Sequence, residues 1–179
     1  SVTFPVLSTI QDDETRLADA YKRFLRLSAF IVFPLMVGLS AVADPFIRIV
    51  LTDKWEGTIY FLQILCFGLM WYPIHAINLN LLQVKGRSDY FLKLEVIKKI
   101  LGVATLCVTI PMGLEAMCYG RVFTSVVCLA LNTYYTDKII EYGFLSQMKD
   151  LLHIIAHSFV MYGIVFVIVH YLSNLWSQL

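Results

Sequence analysis

The sequence predicts an all-α fold, a polytopic transmembrane helix bundle with about five spans, and three observations lead to this class. First, 59% of the 179 residues are hydrophobic and only 15% are charged, whereas soluble domains are roughly 45–50% apolar and about 25% charged. Second, the apolar residues are gathered into five long runs. Third, most of the basic residues lie in every second one of the segments that separate those runs. A soluble domain of this size could not bury so much apolar surface.

The five apolar runs are the predicted membrane spans, because a helix of about 20 residues crosses the hydrocarbon core of a bilayer. The third run is short, and we expect it either to tilt or to begin within the amphipathic stretch that precedes it. Residues 1–10 are interpreted as the tail of an earlier helix, and residues 12–26 as an amphipathic helix along the inner leaflet. The alternative for residues 12–26 is a solvated loop helix whose charges have no specific role. The predicted spans are Leu27–Leu51, Gly57–Leu82, Ile100–Leu114, Met117–Tyr135 and Leu151–Leu172.

The distribution of Lys and Arg predicts which way round the chain sits. By the positive-inside rule, segments rich in these residues are cytoplasmic. The N-terminal end of the chain is therefore expected in the cytoplasm and the C-terminal end on the far side. The net charge is only +1, so nucleic acid is not a predicted partner, whereas membrane lipids are. Eleven of the fourteen basic residues fall in every second segment: Arg16, Lys22, Arg23, Arg26, Lys85, Arg87, Lys93, Lys98, Lys99, Lys138 and Lys149.

Two prolines indicate where spans are interrupted. Asp44 followed by Pro45 is typical of a helix start, with Asp44 as N-cap, so the first span should break near Ala43. Asp44 and Arg48 have the spacing of an ion pair. Pro73 lies near the middle of the second span, where a freed carbonyl is tolerated only beside protein or a water-filled cavity. The polar residues that follow Pro73, His75 and Asn78, are therefore candidates for a substrate path.

One face of the fourth span carries a polar stripe. Arg121, Ser125, Cys128 and Asn132 follow helical spacing, and polar side chains in a membrane should face a bundle interior or a wet lumen. Arg121, Ser125 and Asn132 are therefore predicted to line the substrate path, with Arg121 meeting an anionic group. The alternative for Arg121 is that it reaches water at the outer end of its own span.

The sequence contains no recognisable catalytic or metal-binding motif, and no cofactor is predicted. His153 and His157 share a helix face with Asp150, but the metalloprotease pattern is missing, so a structural role is favoured. The four cysteines lie in or beside apolar runs without CxxC spacing and are interpreted as small core residues. We therefore do not expect an enzyme.

Several segments together resemble a known family. They look like the C-terminal half of the Wzx-type polysaccharide, or O-antigen, flippases of lipopolysaccharide biosynthesis, which belong to the multidrug/oligosaccharidyl-lipid/polysaccharide exporter superfamily. The order and spacing of the segments carry the resemblance more than any one of them does. The segments are 33–39 (FPLMVGL), 43–47 (ADPFI), 51–55 (LTDKW), 62–65 (LQIL) and 86–89 (GRSD).

The resemblance implies part of the second lobe of a two-lobe transporter, so the chain is expected to be a fragment of a longer protein. Such a transporter would move a polyprenyl-pyrophosphate-linked oligosaccharide across a bacterial inner membrane by alternating access, together with other polysaccharide assembly proteins. A cationic lumen is then expected, to which Arg87 and Arg121 could contribute. For Lys98 and Lys99, a purely topological role is favoured.

Two alternatives stay open at this point. The first is a cation-coupled exporter of drugs or small solutes from the same superfamily, which would favour a carboxylate deep in a span. The second is a membrane-embedded glycan polymerase or transferase, which should carry catalytic residues in a long loop. The sequence offers Asp44 and Glu115 only near span ends, and its loops are short.

Overall fold

The computed structural model describes the backbone of residues 3–176 and the side chains of residues 4–169 and 171. Within that part the chain is helical and contains no strand, which confirms the all-α fold class. Short 3₁₀ turns at Asp53–Thr58 and Ile110–Met112 join some of the α-helices. The helices are α1 (Thr3–Thr9), α2 (Glu14–Ala41), α3 (Ala43–Leu51), α4 (Ile59–Leu69), α5 (Tyr72–Val84), α6 (Ser88–Thr109), α7 (Leu114–Ile140) and α8 (Phe144–Trp176).

Within residues 3–176, four helical stretches are long and apolar enough to cross a membrane. They are Glu14–Ala41, Asp53–Val84, Leu114–Ile140 and Phe144–Val169. Helix α6 is not among them because its first half is charged. Its 22 residues nevertheless form one uninterrupted helix of about 33 Å, so the wet first half continues directly into the apolar part. A fifth span through α6 stays a prediction.

Helix α2 differs from the expectation of a separate amphipathic helix over residues 12–26. Its N-terminus is capped by the Asp13 carboxylate, which accepts a hydrogen bond from the Arg16 backbone N–H at 3.1 Å, and the helix then continues without a turn to Ala41. Leu17, Tyr21 and Leu25 are buried on the same stripe as the apolar residues farther along α2. The apolar face of this stretch therefore packs into the protein core rather than into lipid.

The breaks expected at the two prolines are present. Helix α2 ends at Ala41 and α3 begins at Ala43. The N-cap of α3 is Val42 rather than Asp44, which lies within the first turn of the helix. The Asp44 carboxylate accepts a hydrogen bond from Arg48 Nε at 2.8 Å, as its spacing predicted. The second span is divided into α4 and α5, and Pro73 occupies the first turn of α5, where its missing N–H costs nothing.

The core lies where α2 packs against α5 and α8, with α7 on the other side of α5. Phe33 of α2 contacts the Trp71 ring at the α4–α5 break, with ring centroids 5.1 Å apart. Leu81 and Leu151 are fully buried and extend this core along α5 and α8. A helix pair, α6 and α7, completes the bundle beyond α5.

Contacts between helix ends bring most of the basic residues to one end of the bundle. Lys85 Nζ, at the end of α5, lies 3.4 Å from Glu14 Oε1 at the start of α2. Arg26 of α2 pairs with Asp150 of α8 at 2.7 Å. We call this the basic end: it comprises the N-terminal halves of α2, α6 and α8 and the C-terminal ends of α5 and α7.

A cationic cavity as candidate functional site

A cavity of about 610 Å³ lies between the broken helix pair α4–α5 and helices α6 and α7. Much of its wall is apolar or small, with Leu79, Gly102 and Val103 among the lining residues. Its polar side chains are concentrated on α6 and α7. The ionisable and hydrogen-bonding residues that line it include Arg121, Lys98, Lys99, Glu95, His75 and Ser125.

The cavity is cationic because three basic side chains face a single carboxylate. Glu95 Oε1 lies 3.3 Å from Lys98 Nζ, so that pair is internally compensated. Lys99 and Arg121 make no ion pair or hydrogen bond with any other residue that the structure describes. The two charges left over are therefore available to a negatively charged ligand.

The cations lie toward opposite ends of the cavity. Helices α6 and α7 are antiparallel neighbours, and Thr124 Oγ1 donates to Thr105 Oγ1 at 3.2 Å. In this antiparallel register, Arg121 of α7 lies level with residues near 108 of α6. Lys98 is roughly ten residues from that level along α6, which places it about 15 Å closer to the basic end than Arg121. A ligand with separated negative groups, or one that moves along the cavity, would meet both.

His75 connects α5 to α7 through a chain of hydrogen bonds at the wall of the cavity. Asn132 Nδ2 lies 3.0 Å from His75 Nδ1, and His75 Nε2 lies 3.3 Å from Ser125 Oγ. Ser125 Oγ in turn donates to the Gly68 carbonyl at 2.9 Å. These contacts fit a neutral imidazole whose Nδ1 accepts from Asn132 and whose Nε2–H donates to Ser125.

The Ser125 contact explains how the interruption of the second span is tolerated. Gly68 lies in the last turn of α4, whose carbonyls have no partner within the helix. Val122 of α7 packs closely against this glycine: a Cβ at Gly68 would lie 3.3 Å from Val122 Cγ2. The small residue lets α7 approach, and the Ser125 hydroxyl then satisfies the carbonyl. The break is thus covered by protein at the edge of the cavity.

Asn78 does not line the cavity, in contrast to the expectation from the sequence. It is fully buried, and its Oδ1 accepts hydrogen bonds from the Tyr21 hydroxyl at 2.8 Å and from the Thr136 hydroxyl. Its Nδ2 donates to the Ile74 carbonyl at 2.8 Å. Asn78 therefore joins α2, α5 and α7, and its fully buried amide does not reach the cavity.

Arg87 also lies outside the cavity. It precedes α6 at the basic end, where its Nε contacts Asp89 Oδ1 at 3.2 Å and its guanidinium lies 4.0 Å from the centre of the Tyr90 ring. The hydrogen bond from Arg87 holds the pKa of the Asp89 carboxyl below its usual value. These contacts stabilise the turn into α6, which is a structural role.

The structure instead places Lys98 and Lys99 in the cavity, although the sequence favoured a topological role for both. A signal for this was present in the sequence: Glu95, Lys98, Gly102 and Leu106 follow helical spacing and therefore share one face of α6. All four line the cavity. The neighbouring lysines and arginines of the same basic segment masked that pattern.

His153 and His157 of α8 are separate from this site. His157 Nδ1 lies 2.6 Å from the His153 carbonyl, and Asp150 is engaged by Arg26 and by the Tyr142 hydroxyl. Among the described residues, no three His, Cys, Asp or Glu side chains are grouped so that they could hold a metal ion. Cys66, Cys118 and Cys128 are buried free thiols, and Cys107 is an exposed one.

Comparison with known proteins gives the family. A family model described as "Polysaccharide biosynthesis protein" matches residues 1–60. The lipopolysaccharide biosynthesis protein WzxC of Escherichia coli (strain K12) is 33% identical over 139 residues, which are 76% of this chain and 28% of that protein. The chain belongs to the polysaccharide biosynthesis family of membrane proteins that includes the Wzx type.

Further relatives extend this family beyond one organism. A membrane protein encoded in the cps region of Klebsiella pneumoniae is 31% identical over 148 residues, which are 82% of this chain and 28% of that protein. The teichuronic acid biosynthesis protein TuaB of Bacillus subtilis (strain 168) is 27% identical over 88 residues, which are 49% of this chain and 18% of that protein. The chain thus spans less than a third of these relatives' length. No solved structure matches it.

Proposed function

We propose that the chain forms part of a flippase that moves a polyprenyl-pyrophosphate-linked oligosaccharide across the membrane for surface polysaccharide biosynthesis, and that the cationic cavity is part of its path. The observation that carries this proposal is the set of Arg121, Lys98 and Lys99 around one cavity of the helix bundle, whose lining contains a single carboxylate. Charged side chains within a membrane segment are costly and usually serve substrate or ion pathways.

The chemistry of the cavity fits an anionic group better than a cation. Its one carboxylate, Glu95, is already paired with Lys98 at 3.3 Å. Arg121 retains all of its donors, and a guanidinium binds phosphate oxygens through two parallel hydrogen bonds. A pyrophosphate entering from the basic end would meet Lys98 and Lys99 first and Arg121 farther along. This succession of cations along the cavity supports movement of the substrate by binding alone, without any covalent step.

The broken helix pair α4–α5 supports alternating access as the mode of transport. The interruption at Met70 and Trp71 lies beside the cavity, and the carbonyl of Gly68 is held by the side chain of Ser125 on α7 rather than by its own helix. Such a junction can bend at lower cost than a continuous helix. We propose that the two halves move relative to one another as the cavity opens to either side.

We propose further that the protein lies in a bacterial inner membrane with its basic end in the cytoplasm, following the positive-inside rule. The N-terminal end of this chain would then be cytoplasmic and its C-terminal end periplasmic. A phosphatase reporter fused after Asp89 in the full-length protein is expected to be inactive, whereas one fused after Gly113 should be active. The reverse pattern would overturn the orientation.

The transport proposal is tested by charge removal in the full-length protein, expressed in a strain that lacks the gene. Arg121→Gln is expected to lower surface polysaccharide by about tenfold or more, since a charge-assisted hydrogen bond contributes about 1.5–3 kcal/mol. Lipid-linked repeat units should accumulate at the cytoplasmic face. Arg121→Lys, which keeps the charge, should retain much of the activity.

Two matched controls separate this effect from a general loss of positive charge. Lys98→Gln should impair export, whereas Lys93→Gln, on an exposed position of the same helix, should not. Lys54→Gln is the matching control for Arg121→Gln. Lys54 is an exposed cation at the opposite end of the bundle from the basic end, and its substitution should leave export unchanged. Normal surface polysaccharide in both Arg121→Gln and Lys98→Gln would refute the cavity as the path, and normal polysaccharide in the deletion strain would refute the function.

A further inference from the structure

We propose that a groove between α2 and α8 is a binding site for an anionic phospholipid of the leaflet at the basic end. This groove lies apart from the cationic cavity, and neither the transport proposal nor the family comparison assigns it a role. Its two parts, one apolar and one charged, follow each other in the order of a lipid's acyl chain and headgroup.

The apolar part of the groove lies about half-way along α2 and α8. It has a volume of about 410 Å³ and is lined by Phe30 and Pro34 of α2 and by Ile154, Ser158 and Met161 of α8, together with two histidines. The Ser158 hydroxyl is turned to the carbonyl of its own helix at Ile154, 2.8 Å away. The groove therefore offers a mostly hydrocarbon surface, which suits an acyl chain.

The charged part adjoins it toward the basic end. This cleft is lined by Lys22 and Arg26 of α2, by Tyr142, and by Lys149 and Asp150 of α8. His153 and Ile154 line both the cleft and the apolar groove. The shared residues make the two parts continuous along the seam between the helices.

The charges of the cleft favour an anionic headgroup. Asp150 is engaged by Arg26 at 2.7 Å and by the Tyr142 hydroxyl, so its charge is compensated within the protein. Lys22 lies over the Tyr142 ring, 5.1 Å from its centre, and Lys149 has no ion pair with another described residue. These two ammonium groups outnumber Glu141, the remaining acid of the cleft, and can hold a phosphate between α2 and α8.

The length of the groove identifies the occupant as a lipid of one leaflet. From Arg26 to Gly38, α2 rises about 18 Å, close to half of the roughly 30 Å hydrocarbon core. The groove closes there, since a Cβ at Gly38 would lie 3.4 Å from Met161 Cε. A transmembrane helix would need a groove across the whole core, and a polyprenyl chain is far longer than one leaflet. A phospholipid acyl chain fits.

The proposal is tested by native mass spectrometry of the full-length protein in detergent, titrated separately with phosphatidylglycerol, phosphatidylcholine and a polyprenyl monophosphate. Phosphatidylglycerol is expected to bind more tightly than phosphatidylcholine. Lys22→Gln combined with Lys149→Gln should weaken phosphatidylglycerol binding about tenfold, because both cations near the phosphate are lost. The charge-matched double variant Lys93→Gln and Lys138→Gln should change it less than about twofold.

A second variant tests the apolar part without changing charge. Ser158→Trp fills the groove and should reduce the number of bound phosphatidylglycerol molecules by one, with the same fold retained by circular dichroism. Equal binding of both phospholipids, or unchanged binding in the lysine variant and in Ser158→Trp, would overturn the proposal. Preferential binding of the polyprenyl phosphate would also overturn it, since the occupant would then be a carrier lipid. Arg121→Gln should leave this binding unchanged, so failure here is distinguishable from failure of the transport proposal.

Discussion

Two polar clusters lie between α5 and α7, and one of them joins helices in the core while the other borders the candidate functional site. Asn78 and His75 are three residues apart on α5, and each bonds to side chains of α7. The Asn78 cluster is sealed in the core and links Tyr21 and Thr136 to one amide. The His75 cluster, one turn away, forms part of the cavity wall. Similar residue types at neighbouring positions thus occupy very different environments.

The difference lies in how completely the hydrogen-bonding groups are satisfied. Asn78 uses its oxygen to accept two hydrogen bonds and its nitrogen to donate one. In the His75 cluster, the buried Oδ1 of Asn132 has no partner among the described residues. A network in which each polar atom has a partner fixes the relative position of helices, whereas one with an unpartnered atom has capacity for another partner or arrangement. The comparison teaches that completeness, rather than residue type, distinguishes the helix joint from the candidate site.

Removing Asn78 is expected to have the largest effect on stability. Asn78→Ala leaves the hydroxyls of Tyr21 and Thr136 buried without their acceptor, which should lower the free energy of unfolding by about 2 kcal/mol. Thermal unfolding of the full-length protein in detergent should show a lower midpoint. Export per folded molecule should change little, because Asn78 does not line the cavity.

The matched control is Asn80→Ala, two residues farther along α5. Asn80 is only partly buried and makes no hydrogen bond through its side chain with another described residue. Its substitution should leave the unfolding midpoint nearly unchanged. If Asn78→Ala proved as harmless as Asn80→Ala, the sealed cluster would not be a helix joint and the comparison would fail.

Removing the Ser125 hydroxyl is expected to have a smaller effect on stability. Ser125→Ala takes away one interhelical hydrogen bond to the Gly68 carbonyl, and such bonds in membrane proteins contribute about 0.6 kcal/mol on average. The adjacent cavity can supply water to the carbonyl, which limits the loss further. The unfolding midpoint should therefore fall less than in Asn78→Ala.

The effect of Ser125→Ala on export should nevertheless exceed its effect on stability, since it acts at the α4–α5 junction. Ser158→Ala is the control: Ser158 is also buried, but its hydroxyl bonds within its own helix. Measuring export per folded molecule for both variants sharpens the comparison. A stability loss in Ser125→Ala equal to that in Asn78→Ala would show that both clusters serve as joints.

Much of this arrangement follows from local features of the sequence. Helical spacing alone placed Arg121, Ser125, Cys128 and Asn132 on one face, and the first three line the cavity. Asn132, also predicted to line the path, is instead fully buried behind His75. Pro73 marked the second interruption because a missing N–H and a fixed φ are properties of the residue itself. The helical spacing of Leu17, Tyr21 and Leu25 could also be predicted from the sequence. Whether this apolar stripe faces lipid or protein could not.

The sequence by itself determined the membrane class, the helices with their interruptions, and the separation of the basic residues from the apolar runs. These depend on hydropathy, helical periodicity and backbone chemistry, which act over a few turns of one helix. Only the tertiary structure decided that Asn78 and Arg87 have structural partners while Lys98 and Lys99 face the cavity. The role of a polar side chain depends on which groups of other helices lie within about 3 Å of it. The sequence of a single helix does not specify those neighbours.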